Sequence, residues 1–531
     1  MMVNLNLLFA LALLSVIVTV VVVVLRPQRT RLVALGGTAL LAFGWLVARS
    51  ALPLTFVIGD EQSAWPAWTW QVGEFSWSVS LGVLLLALGA LALQNSASEP
   101  EREYHTAFIH VLTFVTLLAC WAGSLATYTL TWTLLNAVWL GGLTWTALSA
   151  SPAVRQDRLA ALPSLLGAGL AAILLLWLAA ASAGPQSTMA TAAEWSTLTQ
   201  LLILLAAAVQ LGVFPFHAWR FRDWDAPASS AALLYSAPAA AGGLLLARLE
   251  SAGDVGLAFA LPFTLMGLLA LLAGARRAWL SGSIEASLPL ALIQAQAGLV
   301  LLAGVWAGPQ AVLAETSVLL LAGGILLLHQ AGSRETASGR LPQLGPLIAL
   351  AALAALPLTA GFTGRSAVYD AWLDQGHWLL ILVTALLHVP LLLAALQALW
   401  PSLISTDHPD TNMASGWRTD DVPRQAALLA PALGLFSIAA LSLAAPLSWA
   451  AILLPAAVAV VLAWRMDETD ELRQILQEAF NLPLSVRPAW ASFRRATGAL
   501  SVATREALSI LEGEGGMLWL LVFVVILYLV R

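Results

Sequence analysis

Six titratable side chains lie within or beside long apolar runs, where chemistry at membrane depth would need them: His110, His217, Glu315, His329, Asp370 and His388. Left unpaired in lipid, an ionisable group is expensive, so each marks a candidate ion or proton route. Glu315 is the foremost candidate carrier among them. Asp370 follows Arg365 by five residues, close enough along the chain to predict a local ion pair. A lone histidine on an apolar face more commonly joins helices through hydrogen bonds, and that reading stands beside the relay for each of the four. Cofactor chemistry finds no foothold. Cys120 is the one cysteine, the histidines lack ligand spacing, and no glycine-rich phosphate loop follows a strand. No metal, nucleotide, haem, flavin or nucleic-acid site is expected, and no catalytic site in this chain.

The basic residues narrow the chemistry further. All 24 are arginine, with no lysine anywhere. Lysine sheds its proton readily when buried, whereas a guanidinium, with a pKa above about 12, stays charged. A lysine-based relay therefore cannot exist here.

The elements that position these groups are transmembrane helices. Of 531 residues 60% are hydrophobic and 10% charged, against roughly 25% charged in soluble domains. Apolar runs of about 17–25 residues predict an all-α polytopic membrane protein with 14–16 spanning helices. The first, Leu5–Leu25, has no basic n-region or small-residue cleavage site and reads as a helix rather than a signal peptide. Two spans contain breaks. Around 214–219, Phe214, Pro215, Phe216 and His217 interrupt one apolar run; around 357–365, Pro357 and Gly361 interrupt another. Proline lacks a backbone donor and disturbs the preceding turn, so a helix reaching it kinks or ends. Tryptophans 65, 68 and 70 read as an interfacial belt. Arginine-bearing loops (Arg26–Arg31, Arg102, Arg155, Arg220, Arg276, Arg334, Arg418) alternate with acidic ones (Asp60, Glu74, Glu194, Asp254, Asp374), which predicts a cytoplasmic-membrane protein with its N-terminus outside.

The expected organisation is an N-terminal helical region over 1–106, a core over 107–400 and further spans over 401–465. Beyond these come an amphipathic lateral segment over 466–514 and a terminal anchor over 515–531. In the lateral segment, Leu472, Ile475, Leu476 and Phe480 recur at helical spacing opposite acidic residues.

The stretch from Gln210 through Phe214-Pro215-Phe216-His217, Trp219, Pro227, Ala232-Leu233-Leu234-Tyr235 and Gly243 to Arg248 resembles a known signature. It is similar to the antiporter-like membrane subunits of respiratory complex I, Mrp-type antiporters and membrane-bound hydrogenases. Gln296 and Gly298 match a second family pattern, and Leu356-Pro357 with Gly361-Phe362 a third. The resemblance implies two inverted repeats with one discontinuous helix in each, and a midplane chain of Glu, Lys and His that passes protons. The departures are pointed. Thr133 stands at the family's glutamate, Gln210 and Ala286 at lysines, Tyr235 at a histidine and Arg365 at the lysine of the second broken helix.

Four positions have lost the titrating group, and the fifth holds a cation that keeps its proton. The expectation is a membrane subunit of a complex I-like or Mrp-like ion-translocating assembly, its own lysine path lost and its role structural or coupling. The alternatives are a proton or sodium/proton translocating subunit rewired through Glu315 and the histidines, or the membrane partner of an energy-coupled bicarbonate/CO2-uptake complex, which resembles the same family. Expected partners are other membrane subunits and the lipid bilayer, with protons or sodium ions as cargo.

Overall fold

The computed structural model describes residues 27–58, 68–93, 99–149, 152–185, 187–214, 216, 228–253, 256–281, 287–335, 344–404, 421–436 and 446–464, with short pieces of the first 21. The proposed lateral segment and anchor, residues 466–531, lie outside the described residues, as do His217, Pro215 and Ala286.

The chain is a multi-pass helical membrane protein. Its helices are α1 (Pro27–Ala48), α2 (Glu74–Ala92), α3 (Glu99–Trp121), α4 (Leu125–Ser149), α5 (Pro152–Ala183), α6 (Thr197–Leu211), α7 (Ala228–Ser251), α8 (Ala260–Ser281) and α9 (Ser287–Trp306). Then come α10 (Pro309–Ser317), α11 (Gly323–Glu335), α12 (Leu344–Leu353), α13 (Ala360–Asp374), α14 (Trp378–Ile404), α15 (Asp421–Leu433) and α16 (Pro446–Trp464). Eight spans among the described residues are long and apolar enough to cross a membrane, and four shorter apolar helices accompany them. α7 and α9 are buried on every side along their spans, so they form the centre of the packing. α5 instead exposes Leu166, Leu170, Leu174, Trp177 and Leu178 along one face, as a helix facing lipid or a neighbour does.

One element departs from the all-α expectation. β1 (Leu54–Ile58) pairs antiparallel with β2 (Trp68–Val72), Leu54 opposite Val72 and Ile58 opposite Trp68. The run Leu54-Thr55-Phe56-Val57-Ile58 is rich in β-formers but only five residues long, and the neighbouring tryptophans read more simply as a belt. Arg248, near the C-terminus of α7, fastens this hairpin to the bundle. Its guanidinium donates to the carbonyls of Gln71 (2.6 Å), Cys120 (3.0 Å) and Ala122, to the Tyr128 hydroxyl (2.8 Å) and to Ser76 Oγ. Two of those carbonyls close the C-terminal end of α3, where unpaired carbonyls carry partial negative charge and favour a cation.

The second break is present at 354–359, and the helix leading to the first ends before Pro215, which with residues 217–227 lies outside the described residues; capping sets both boundaries. α6 stops at Leu211, because Gly212 adopts φ 72° and turns the chain out of the helix. Its amide and that of Val213 return to the carbonyls of Val209 and Ala208, closing the last turn. The second break covers 354–359, with Pro357 inside it. Ala355 (φ 53°) and Leu358 (φ 70°) take left-handed backbone, a conformation costly for residues with a Cβ. Residues 432–436 brace that irregular stretch: the Ala360 amide donates to the Leu435 carbonyl at 2.8 Å, and Thr359 bridges Phe436. Thr359 caps α13 by accepting from the Phe362 amide. Gly361 falls in the first turn of α13, not in the break, and a Cβ there would overlap the Ala352 carbonyl oxygen. Only glycine lets the two half-helices approach this closely.

Between α10 and α11 the chain stays helical but widens into a π segment, Val318–Ala322. Such insertions occur frequently at functional sites, and this one begins three residues after Glu315.

Candidate functional site

The chemistry predicted for the span interiors converges on the second broken helix. Glu315 on α10 is fully buried, and Arg365 on α13 and His388 on α14 are nearly so. Arg365 Nε donates to Glu315 Oε1 at 3.2 Å, forming an ion pair with side chains 3% and 0% exposed. Arg365 Nη1 contacts His388 Nε2. On the ring's other side, His388 Nδ1 stands 3.0 Å from the Thr384 carbonyl. A carbonyl only accepts, so Nδ1 carries the proton and Nε2 offers its lone pair to the guanidinium. His388 in this arrangement is neutral and an acceptor.

The fourth member is Gln296 on α9. Its amide nitrogen donates to Glu315 Oε2 and, at 3.2 Å, to the Glu315 backbone carbonyl. Both carboxylate oxygens are thereby engaged, one by a cation and one by a neutral donor. Space for the carboxylate comes from Gly364, next to Arg365: a Cβ there would stand 2.6 Å from Glu315 Cγ and 2.9 Å from Oε1. Tyr369, buried one turn past Arg365, lies in the electrostatic neighbourhood of both charges. One residue from each of α9, α10, α13 and α14 meets here, and the Arg365 guanidinium ties α13 directly to α10 and α14.

Asp370 takes a different partner from the one its spacing predicts. Arg365 forms its ion pair with Glu315, fifty residues away, while Asp370 Oδ1 accepts from Ser448 Oγ of α16 at 2.5 Å. Five residues along a helix rotate a side chain by about 140°, which points Asp370 away from the guanidinium's side.

The sequence matches known proteins over the region that holds these residues. Residues 170–389 match the family described as NADH:quinone oxidoreductase/Mrp antiporter, TM. That match covers less than half of the chain, and over it the chain is similar to the antiporter-like membrane subunits of complex I and Mrp-type complexes. A curated relative, NADH-quinone oxidoreductase subunit N 2 of Syntrophobacter fumaroxidans, is 28% identical over a stretch covering 34% of this chain. That match spans 42% of the relative's own length, less than half of it. Solved structures share the fold at lower identity. The Mrp complex from Dietzia sp. DQ12-45-1b superposes with a TM-score of 0.69 at 18% identity, over 99% of this chain and 63% of the matched one. The archaeal membrane-bound sulfane sulfur reductase, a respiratory membrane complex, gives 0.64 at 14% identity, over 80% of this chain and 74% of its own. Respiratory complex I from Thermus thermophilus gives 0.51 at 19% identity, over 87% and 96%. The relatives are components of multisubunit membrane complexes.

Around the end of α6, buried amide and hydroxyl groups stand where α6, α7 and α10 meet. Gln210, near the end of α6, is fully buried, and neither end of its carboxamide has a hydrogen-bond partner among the described residues. Gly242 and Gly243 of α7 admit α6 and α10 closely: a Cβ at 242 would stand 3.2 Å from Gln210 Cβ, and one at 243 would overlap Thr316. The Thr316 hydroxyl is likewise buried without a partner among the described residues. Tyr235 is buried on the same helix, two turns before that glycine pair. Thr133 does not join them. It lies on the outer surface of α4, and its hydroxyl bonds back to the Thr129 carbonyl at 2.6 Å. His329 sits half-buried on α11, and His110 on α3 contacts Thr38 Oγ1 at 3.4 Å. Neither is among the partners of Glu315, Arg365 or His388 given above. No group of three metal-ligating residues occurs among the described residues.

Sequence reading misses Gln296 as a member of the site. Its match to the family pattern marks the position, but its partner is nineteen residues away on the next helix, which no local spacing announces.

Proposed function

We propose that this antiporter-like subunit helps build and couple a multisubunit membrane complex without relaying protons through a lysine path of its own. The carrying observation is Arg365, a permanent cation at the second broken helix, neutralised by Glu315 and hydrogen-bonded to a neutral histidine. A guanidinium can orient and clamp but does not hand on a proton near neutral pH. Gln210, Thr316 and Tyr235 in the other half of the core, and the outward-facing Thr133, support the same reading, because none of them titrates near neutrality. The cluster then serves as a clamp joining α9, α10, α13 and α14. With its arginine-bearing loops toward the cytoplasm, the subunit has its N-terminus outside.

One observation favours a second reading, in which translocation is rewired. Glu315 and His388 touch the same guanidinium, so two titratable groups lie within one side chain's reach.

Reconstituted complex carrying Glu315→Gln separates the two. A clamp predicts that the assembled variant moves as many protons per turnover as the parent. Loss of more than half of that flux, with subunit composition intact, would assign the route to Glu315 and overturn the proposal.

A further inference from the structure

The Glu315–Arg365 pair is incomplete in a specific way. Arginine binds carboxylates best through a fork of two parallel N–H donors, and its side edge offers Nε and Nη2 together. Here Nε is taken by Glu315 Oε1, but Nη2 has no acceptor within hydrogen-bond distance among the described residues although Arg365 is 2% exposed, and the buried Tyr369 side chain is a further polar neighbour of the guanidinium. The oxygen that would complete the fork, Oε2, is instead held by the Gln296 amide. Gln296 is anchored by a further bond to the Glu315 backbone carbonyl, so its amide is fixed to the turn that carries the carboxylate. A buried donor without an acceptor is costly, and in this arrangement Oε2 accepts from the neutral amide and not from the charged donor.

We propose that Gln296 is a positioning residue for Glu315, holding its second oxygen out of the fork that Arg365 offers. This rests on the cluster being the working centre assigned above, and it gives that centre two settings. In one, the carboxylate is shared between Gln296 and Nε. In the other, it closes on Nε and Nη2 and releases α9. Passing between them needs only a rotation of the carboxylate, not a separation of the two charges. Gly364 leaves the space in which that rotation occurs, since any Cβ at that position would press on Glu315 Cγ and Oε1.

The test reads geometry rather than flux. The carboxylate stretching bands of Glu315 are assigned in the infrared spectrum of the full-length protein in lipid, as those lost in Glu315→Gln. Gln296→Met, similar in length and without a donor, is expected to narrow the separation of the antisymmetric and symmetric bands as both oxygens come to share one guanidinium. Gln296→Asn, one methylene shorter, withdraws the amide and is expected to shift the bands the same way, which keeps the test intact where the methionine variant does not assemble. Bands that stay at their parental positions in a folded Gln296 variant overturn the proposal. The flux measurement on Glu315→Gln is blind to this rotation, so the clamp reading and the positioning role of Gln296 fail separately.

Discussion

Removing one partner of a fully buried ion pair should cost far more than removing both, and Glu315–Arg365 is placed to show it. Glu315→Gln leaves a guanidinium 2% exposed with no counter-charge, and stranding a buried charge costs about 3–5 kcal/mol. Arg365→Met leaves a buried carboxylate still held by Gln296 on one oxygen. That carboxyl can take up a proton and shed its charge, whereas the guanidinium cannot. Glu315→Gln is therefore expected to be the costlier single change. In the double variant no charge is stranded. The amide introduced at position 315 keeps Gln296 as a partner, and the main loss is the acceptor role of His388 Nε2, about 1–3 kcal/mol. The singles should together exceed the double by roughly 3 kcal/mol or more, well outside the few tenths expected of independent sites. Reversible unfolding of the four proteins in bicelles, followed by tryptophan fluorescence, gives the cycle. Additivity within about 0.5 kcal/mol would refute the claim that these two charges stabilise each other.

Three further outcomes follow from the packing. Gln210→Leu removes a buried carboxamide without a described partner, so it should leave stability unchanged or raise it by about 1 kcal/mol, and leave flux in the assembled complex at the parental level. Gly361→Ala sets a Cβ against the Ala352 carbonyl; a loss of about 1–3 kcal/mol in the same unfolding assay is expected, as for other overpacked sites. Arg248→Ala breaks five hydrogen bonds to the hairpin, α2, α3 and α4. The single cysteine, Cys120, is fully buried beside that hub, so a maleimide that leaves the parent unlabelled should modify the variant, and an unreactive Cys120 would count against the hub.

What could be read from the sequence divides along lines of physical range. Helices and breaks are local: apolar run length gives the spans, and Pro215 and Pro357 point to the interruptions. Their boundaries moved because capping decides them. Gly212 ends α6 three residues before Pro215, and the second break spreads across Ala355 and Leu358, residue types that announce no left-handed backbone. The hairpin escaped because five-residue strands carry too little pattern, and the π segment because nothing in Val318–Ala322 distinguishes it from ordinary helix. The site behaved likewise. Glu315, Arg365 and His388 were each visible as polar residues in apolar runs, but their meeting depends on α10, α13 and α14 packing around one point. The predicted Arg365–Asp370 pairing failed because it counted residues along the chain and not degrees around the helix.

The cluster's resistance to change of charge follows from its hydrogen bonds alone. Protonating Glu315 would strip Arg365 of its counter-ion. Protonating His388 would set an Nε2–H against a guanidinium N–H, since Nδ1 is already committed to the Thr384 carbonyl. A guanidinium keeps its proton near neutral pH. Each ionisable member can thus alter its charge only after a contact is lost, and losing that contact loosens a joint between helices. A lysine at the same place could release its proton and stay in position. On the proposed clamp reading, arginine makes proton exchange and mechanical integrity alternatives, and a core with this residue at its break holds neighbouring elements in register rather than passing protons between them.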